Sequence, residues 1–166
     1  MRVLRLALRL LLVSLTSAAL VGSTPAAALA AGRKPEDALR GRIILSEKPF
    51  PASFKNDAAF ISTMKAYDTK GFKYAGREKI PVEFMAFFAD PVNLTQLTGT
   101  VYDVTERFEM KDTFPIYPGQ RGGRVLASFF EMRKGAFETE RRYKFVITTG
   151  YRGLVLAETD FAIKAD

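Results

Sequence analysis

The sequence predicts a mainly β protein, an antiparallel immunoglobulin-like β-sandwich of about six or seven strands. Three observations predict it. Short apolar segments with period-2 alternation, rich in Val, Phe and Tyr, recur from Ile80 to Lys164. Clusters of Gly, Pro and Asp separate them at intervals of about ten to fifteen residues. Strands and helices do not alternate in the way that announces a parallel sheet.

The chain opens with Arg2, Arg5 and Arg9, then an uncharged apolar run from Leu10 to Val21, then a polar break at Gly22 to Pro25, and small residues at Ala28-Leu29-Ala30. That order predicts a signal peptide over residues 1–30, with the arginines held at the cytoplasmic side and the small side chains fitting a peptidase. The rival expectation is an uncleaved membrane anchor, since residues 10–32 are uncharged and about 20 residues suffice to span a bilayer. Pro25 and the Ser/Thr cluster favour cleavage. Residues 31–40, charged and containing Pro35, are expected to be a flexible lead-in. Residues 41–166 are expected to form one domain.

Within that domain Arg42 to Ser46 reads as a short strand, stopped by Pro49 and Pro51. Phe60, Ile61, Met64 and Tyr67 share one face at helical spacing, which predicts a short helix near 57–70, capped by Ser53 or Asn56 and ended by Gly71. A strand carrying Phe60, Ser62, Met64 and Ala66 on one face is the alternative. Pro81 to Ala89 is apolar on both faces and predicts a central strand, with Asp90-Pro91 as its closing turn. Gly99 to Thr105 predicts a strand with Tyr102 and Val104 toward the core. Phe108 to Tyr117, broken by Pro115, predicts an edge strand or loop. Arg124 to Met132 is the next strand, followed by a charged connection that tucks in Phe137. Tyr143 to Thr148 and Leu154 to Lys164 then pair as a hairpin across Gly150-Tyr151-Arg152-Gly153.

The chain has 166 residues with no His, Cys or Trp. A Ser-His-Asp or Cys-His centre is therefore impossible, as are disulfides and zinc sites of the usual His/Cys type. Carboxylate, Lys and Tyr chemistry and oxygen-ligand cations remain open. Removing residues 1–30 takes 3 of the 25 basic residues and none of the 18 acidic ones, so the net charge falls from +7 to +4. All 14 Phe and 6 Tyr lie beyond residue 30, enough large side chains for one core. Without disulfides, that core must carry the fold.

The segment from Val82 to Lys164 resembles a loose group of small exported bacterial proteins without assigned activity. The residues that carry the likeness are Phe84-Met85-Ala86-Phe87-Phe88, Val101-Tyr102-Asp103-Val104, Gly119-Gln120-Arg121, Val125-Leu126-Ala127-Ser128 and Leu156-Ala157 with Phe161; Ala59-Phe60-Ile61 extends it. The resemblance implies an exported, periplasmic or extracellular sandwich and no reaction.

The candidate binding residues are Arg121, Arg124, Arg141, Arg142, Tyr151 and Arg152. Pro118 to Arg124 is a basic glycine turn able to present N–H groups and guanidinium groups to an anion, although it lacks the P-loop Lys-Ser/Thr pair. Arg141-Arg142-Tyr143-Lys144 pairs cations with an aromatic. Solvated turns and ordinary exposed charge explain the same residues. Asp103, Glu106, Glu109 and Asp112 cluster loosely without calcium-loop spacing, and Asp103, Glu106, Glu138 and Glu158 are the carboxylates on which a hydrolase would have to be built. No catalytic residue, metal or cofactor is expected. The adjacent pairs Phe87-Phe88 and Phe129-Phe130 put one ring on each face of a sheet, so one ring of each pair needs a cover outside the core.

The expected function is that of a non-enzymatic, exported β-sandwich that binds another envelope component through a sheet edge or an aromatic surface. The alternative is a module for polyanions or carbohydrates that uses the basic hairpin loops, and a carboxylate-based hydrolase is the remote one. Expected partners are an envelope protein or an anionic envelope polymer. Specific nucleic-acid binding is not expected, because the basic residues form no continuous stripe, and neither is a membrane span after cleavage.

Overall fold

A computed structural model of the protein describes residues 34–166, so the signal-peptide segment and the first residues of the lead-in lie outside the described residues. The fold is mainly β, in two sheets. The elements are α1 (Pro35–Ala38), β1 (Ile43–Ser46), α2 (Asp57–Tyr67), β2 (Gly71–Phe72), β3 (Lys79–Val92), β4 (Leu97–Asp103), β5 (Glu109–Ile116), β6 (Gly123–Arg133), β7 (Arg141–Thr148) and β8 (Val155–Ile163). One sheet has the order β1-β3-β6 and the other β2-β8-β7-β4-β5. All pairings are antiparallel except β2 with β8 and a single bridge of Arg42 with Glu158 and of Lys134 with Phe137. Labelled in the immunoglobulin manner, β1, β3 and β6 are strands A, B and E, β8, β7 and β4 are G, F and C, and β5 extends the second sheet as C′.

The main core lies between the sheets. Phe84 on β3 meets Phe145 on β7 edge-on at 5.1 Å, and Phe130 on β6 lies 5.1 Å from Phe145. Val82, Phe84, Ala86 and Phe88 alternate inward along β3 and are all buried. A smaller core forms on the other side of the first sheet, where Leu39, Ile44, Met64 and Phe87 pack with Phe50, Phe54 and Phe60. The helix is the cover that Phe87 needs: Phe60 stands 6.0 Å from it, and Phe54 stands 4.6 Å from Phe60. Asn56 caps α2 through its side-chain oxygen, which accepts from the Ala59 N–H at 2.8 Å.

Several expectations need correction. Residues 35–38 of the lead-in form a helical turn that drives Leu39 fully into the smaller core, and Arg124 ties it down through Asp37 at 2.8 Å. The helix ends at Tyr67 rather than at residue 70, because the Asp68 N–H closes on the Met64 carbonyl and Thr69 then pairs with Leu45. Asp90-Pro91 does not end β3, which runs on to Val92 through an irregularity after Phe87 that takes up the proline. The strands number eight because β2 and β5 count as strands.

β4 is turned over relative to expectation: Val101 and Asp103 face the core and Tyr102 faces out. The register with Phe145 and Tyr143 decides this, since Val101 and Asp103 lie opposite those two inward residues. Gly99 belongs to the same inner row, where a Cβ would stand 2.7 Å from the Phe114 ring. Phe114 occupies that space and stacks on Phe130 at 5.4 Å.

Tyr143, at the start of β7, makes a tyrosine corner. Its hydroxyl donates to the Glu138 carbonyl at 3.0 Å and accepts from the Glu138 N–H at 2.7 Å. Tyr74 donates to the neighbouring Phe137 carbonyl at 3.0 Å. Burial pushes the Tyr143 phenol up to about 12, with the negative charges of Asp103 and Glu138 adding to it against the opposing Glu138 hydrogen bond. A folded pKa above the unfolded 10.0 means the contribution is intact below pH 10 and is lost between about pH 10 and 12. The loss is on the order of 2–3 kcal/mol. Tyr143→Phe should cost about 1–2 kcal/mol at neutral pH and reduce that alkaline fall; unfolding curves at neutral and alkaline pH check both.

Candidate functional site

The six basic and aromatic candidates do not form one site. Arg141-Arg142 and Tyr151-Arg152 lie at opposite ends of β7, roughly 25 Å apart by strand rise. Arg121 sits in the β5–β6 connection, next to the Gly122 N–H that donates to Val92. Val92 and Leu94 share a cleft with Thr149 and Leu154, so Arg121, Tyr151 and Arg152 belong to one end of the sandwich. Arg152 lies over the Tyr151 ring at 5.4 Å, and both are exposed. Arg124 is structural: besides Asp37 it reaches the Phe88 carbonyl at 3.3 Å.

Arg141 is the hub of an ion-pair cluster. Its guanidinium lies 3.1 Å from Glu106, 3.1 Å from Glu138 and 3.9 Å from Asp103. Three of the four carboxylates singled out in the sequence therefore meet on one cation. The fourth, Glu158, lies apart and shares Lys144 with Asp160. Asp103, Glu106 and Glu138 line neither the cleft beside β8 nor the one between β5 and β6. Among the described residues no group of three or more acidic side chains is placed to hold a metal ion.

Asp103 is 4% exposed. Burial alone would raise its pKa, but hydrogen bonds from Thr105, including the N–H at 2.8 Å, and the charges of Arg141 and Lys111 outweigh it and hold the carboxyl below its usual value. A depressed folded pKa adds stability above the unfolded value near 3.9, and that stability drains as pH falls through the folded value. Asp103→Asn should therefore lose stability at neutral pH and show a flatter acid limb. An acid-unfolding midpoint that does not change would refute this.

The feature that sequence reasoning placed least well is the open edge at β6. Lys134 donates to the Glu78 carbonyl at 2.9 Å, which makes Lys79 and Arg133 a non-hydrogen-bonded pair. By alternation the even positions of β6 bond to β3. Val125, Ala127, Phe129 and Glu131 turn their N–H and C=O groups outward, and β6 has no strand partner on that side among the described residues. The side chains of these four residues line the outer face of the sheet, where Phe129 is 68% exposed and Val125 42%.

The other sheet edges are blunted. β5 carries Pro115 and a bulge, β2 has two residues, and Asp68 and Thr69 cover β1. Beside β6, across from β5, opens a cleft of about 600 Å³ whose walls include Phe114, Pro115, Phe129, Phe130 and Phe137. Only the Phe129-Phe130 pair hinted at this from the sequence; that Phe129 lacks the cover Phe87 has depends on where the helix packs.

The fold defines the class: an immunoglobulin-like sandwich with one open edge. No protein family matches the chain, and none of the curated proteins does. Among solved structures it has a likeness to a β-glucosidase from Listeria innocua in complex with glucose, at 14% identity and a TM-score of 0.33. That match covers 58% of this chain and 15% of the enzyme's. So slight a likeness carries no argument about activity.

Proposed function

We propose that this is a non-enzymatic, exported binding domain that accepts an extended segment of another envelope protein as an added strand along β6. The observation that carries it is the outward row of main-chain groups from Val125 to Glu131, set beside an aromatic cleft. An added strand gains affinity from main-chain hydrogen bonds, and it gains specificity from alternate side chains. One set of those side chains would enter the Phe114–Phe130–Phe137 cleft, and the other would lie beside Phe129. Export rests on the order of charge, apolar run and small residues over 1–30. Among the described residues no helix is long and apolar enough to cross a membrane.

A photo-crosslinking residue in place of Phe129, in the protein expressed in its own envelope, tests the reading. The expected product is one protein joined through an extended apolar segment. Crosslinks formed only from position 151, at the far hairpin, would place the partner elsewhere and overturn it.

A further inference from the structure

A second cleft lies not at β6 but astride the edge of β8, and it has a volume of about 680 Å³. It exists because the first strand divides between the sheets. Gly41 to Ile43 runs beside β8 at Glu158, where the Glu158 N–H donates to the Gly41 carbonyl, and then crosses into the other sheet. The chain returns to β8 only at Lys70, whose carbonyl accepts from the Ala162 N–H, and continues as β2. Asp160, midway between, has no strand partner on that side among the described residues. Its main-chain N–H and C=O face a gap in the edge.

The charges around this gap are unevenly matched. Lys144 holds Glu158 at 3.0 Å and Asp160 at 3.2 Å, and Lys70 holds Asp68 at 3.0 Å. Arg42 and Arg142 also line the cleft, from opposite sides of β8, and among the described residues neither has a carboxylate partner. Both belong to the outer row of the sheet, Arg42 beside Glu158 and Arg142 beside Ala162. Four cations thus face three carboxylates, an excess of one positive charge with two guanidinium groups unengaged.

That balance selects a ligand. A densely charged polymer would meet Asp68, Glu158 and Asp160 and be repelled. A hydroxyl-rich chain with widely spaced anionic groups would satisfy each part: guanidinium groups pair with carboxylate or phosphate, the carboxylates accept from hydroxyls, and half-buried Val104 offers an apolar contact. We infer that the β8 cleft binds an acidic oligosaccharide bearing isolated carboxylate or phosphate groups, held by Arg42 and Arg142 and by the unpaired main chain of Asp160. This site is distinct from the β6 edge and shares no residue with it, so either stands if the other fails. It also relocates the anion site expected at the basic hairpin loops: Arg142 is kept, Arg42 is added, and Arg121 and Arg152 play no part.

The test uses residues 31–166, the form expected after signal cleavage, with four probes: a hyaluronan hexasaccharide, whose carboxylates sit on alternate sugars, a phosphomannose oligosaccharide, neutral maltohexaose and an oligoglutamate peptide. One or both acidic sugars should bind saturably, and whichever binds tells carboxylate from phosphate. Binding should shift the amide resonances of Asp160 and Ala162. Arg42→Gln with Arg142→Gln should weaken it roughly tenfold or more, as loss of two charge-assisted contacts implies. Both side chains are exposed, so the variant should fold. Arg121→Gln with Arg152→Gln should bind as wild type. Equal affinity for maltohexaose, binding of the peptide in place of the sugars, an equal loss in the Arg121/Arg152 variant, or no saturable binding to either acidic sugar would each overturn the inference.

Discussion

Replacing Ala127 by proline is expected to abolish capture of the partner while leaving the fold intact. The Ala127 N–H points away from β3, so proline removes no bond of the β3–β6 ladder. Prolines are tolerated in an edge strand on the solvent side. The added strand, by contrast, loses a donor at its centre and meets the ring. Ser128→Pro is the control: its N–H bonds to β3, so it should destabilise the domain rather than act on binding alone. Phe129→Ser tests the anchor separately. A central aromatic in an interface commonly contributes 2 kcal/mol or more, which makes the expected loss about thirtyfold in affinity. Retention of the crosslinked partner by both Ala127→Pro and Phe129→Ser, at wild-type stability, would remove β6 from the binding surface.

Phe84→Ala is expected to have the largest effect on stability. Phe84 is fully buried at the crossing of three strands and touches both Phe130 and Phe145. Truncating a buried Phe to Ala costs about 3–5 kcal/mol. For a domain of this size that lowers Tm by roughly 10–20 °C. Phe129→Ala, one position before Phe130 on the same strand, should cost less than about 0.5 kcal/mol because its ring is in solvent. Thermal unfolding of the two variants side by side measures the contrast. A Phe129→Ala loss comparable with that of Phe84→Ala would mean that the ring is covered, and the open-edge reading would fall with it.

Much of the fold was legible because period-2 patterns state which residues share a face. Tyr143, Phe145, Ile147, Phe161 and Ile163 all went inward as the alternation required. The helix was legible from Phe60, Ile61 and Met64, which are spaced for one face. The turned strand β4 was not, since Val101 and Tyr102 are equally apolar neighbours and an inward Asp103 looks costly. Thr105 and Arg141 supply the partners that Asp103 needs, and they come from outside β4. The lead-in failed for a related reason. Its single Leu39 gives no periodic signal, but the smaller core had room for one more side chain.

The candidate site was less legible. Arg124 and Arg141 were singled out as candidate binding residues, and they are ion-paired, Arg124 to Asp37, 87 positions upstream, and Arg141 to Glu106 and Glu138 of two connections. Sequence position says that a guanidinium is present but not what neutralises it. Arg42, which lines the β8 cleft, gave no signal, because its pairing with Arg142 arises only from strand order.

By itself the sequence determined that this protein has no His or Cys chemistry, that aromatic packing must replace disulfides, and that its strands alternate as a sandwich. Those are properties of residue type and spacing, which travel with the chain. Only the tertiary structure decided that Phe129 stayed uncovered while Phe87 gained a cover, which edge stayed open and which arginines stayed unpaired. Each of those outcomes is a difference between a group and its neighbours across the sheets, and neighbours distant in sequence are set by packing.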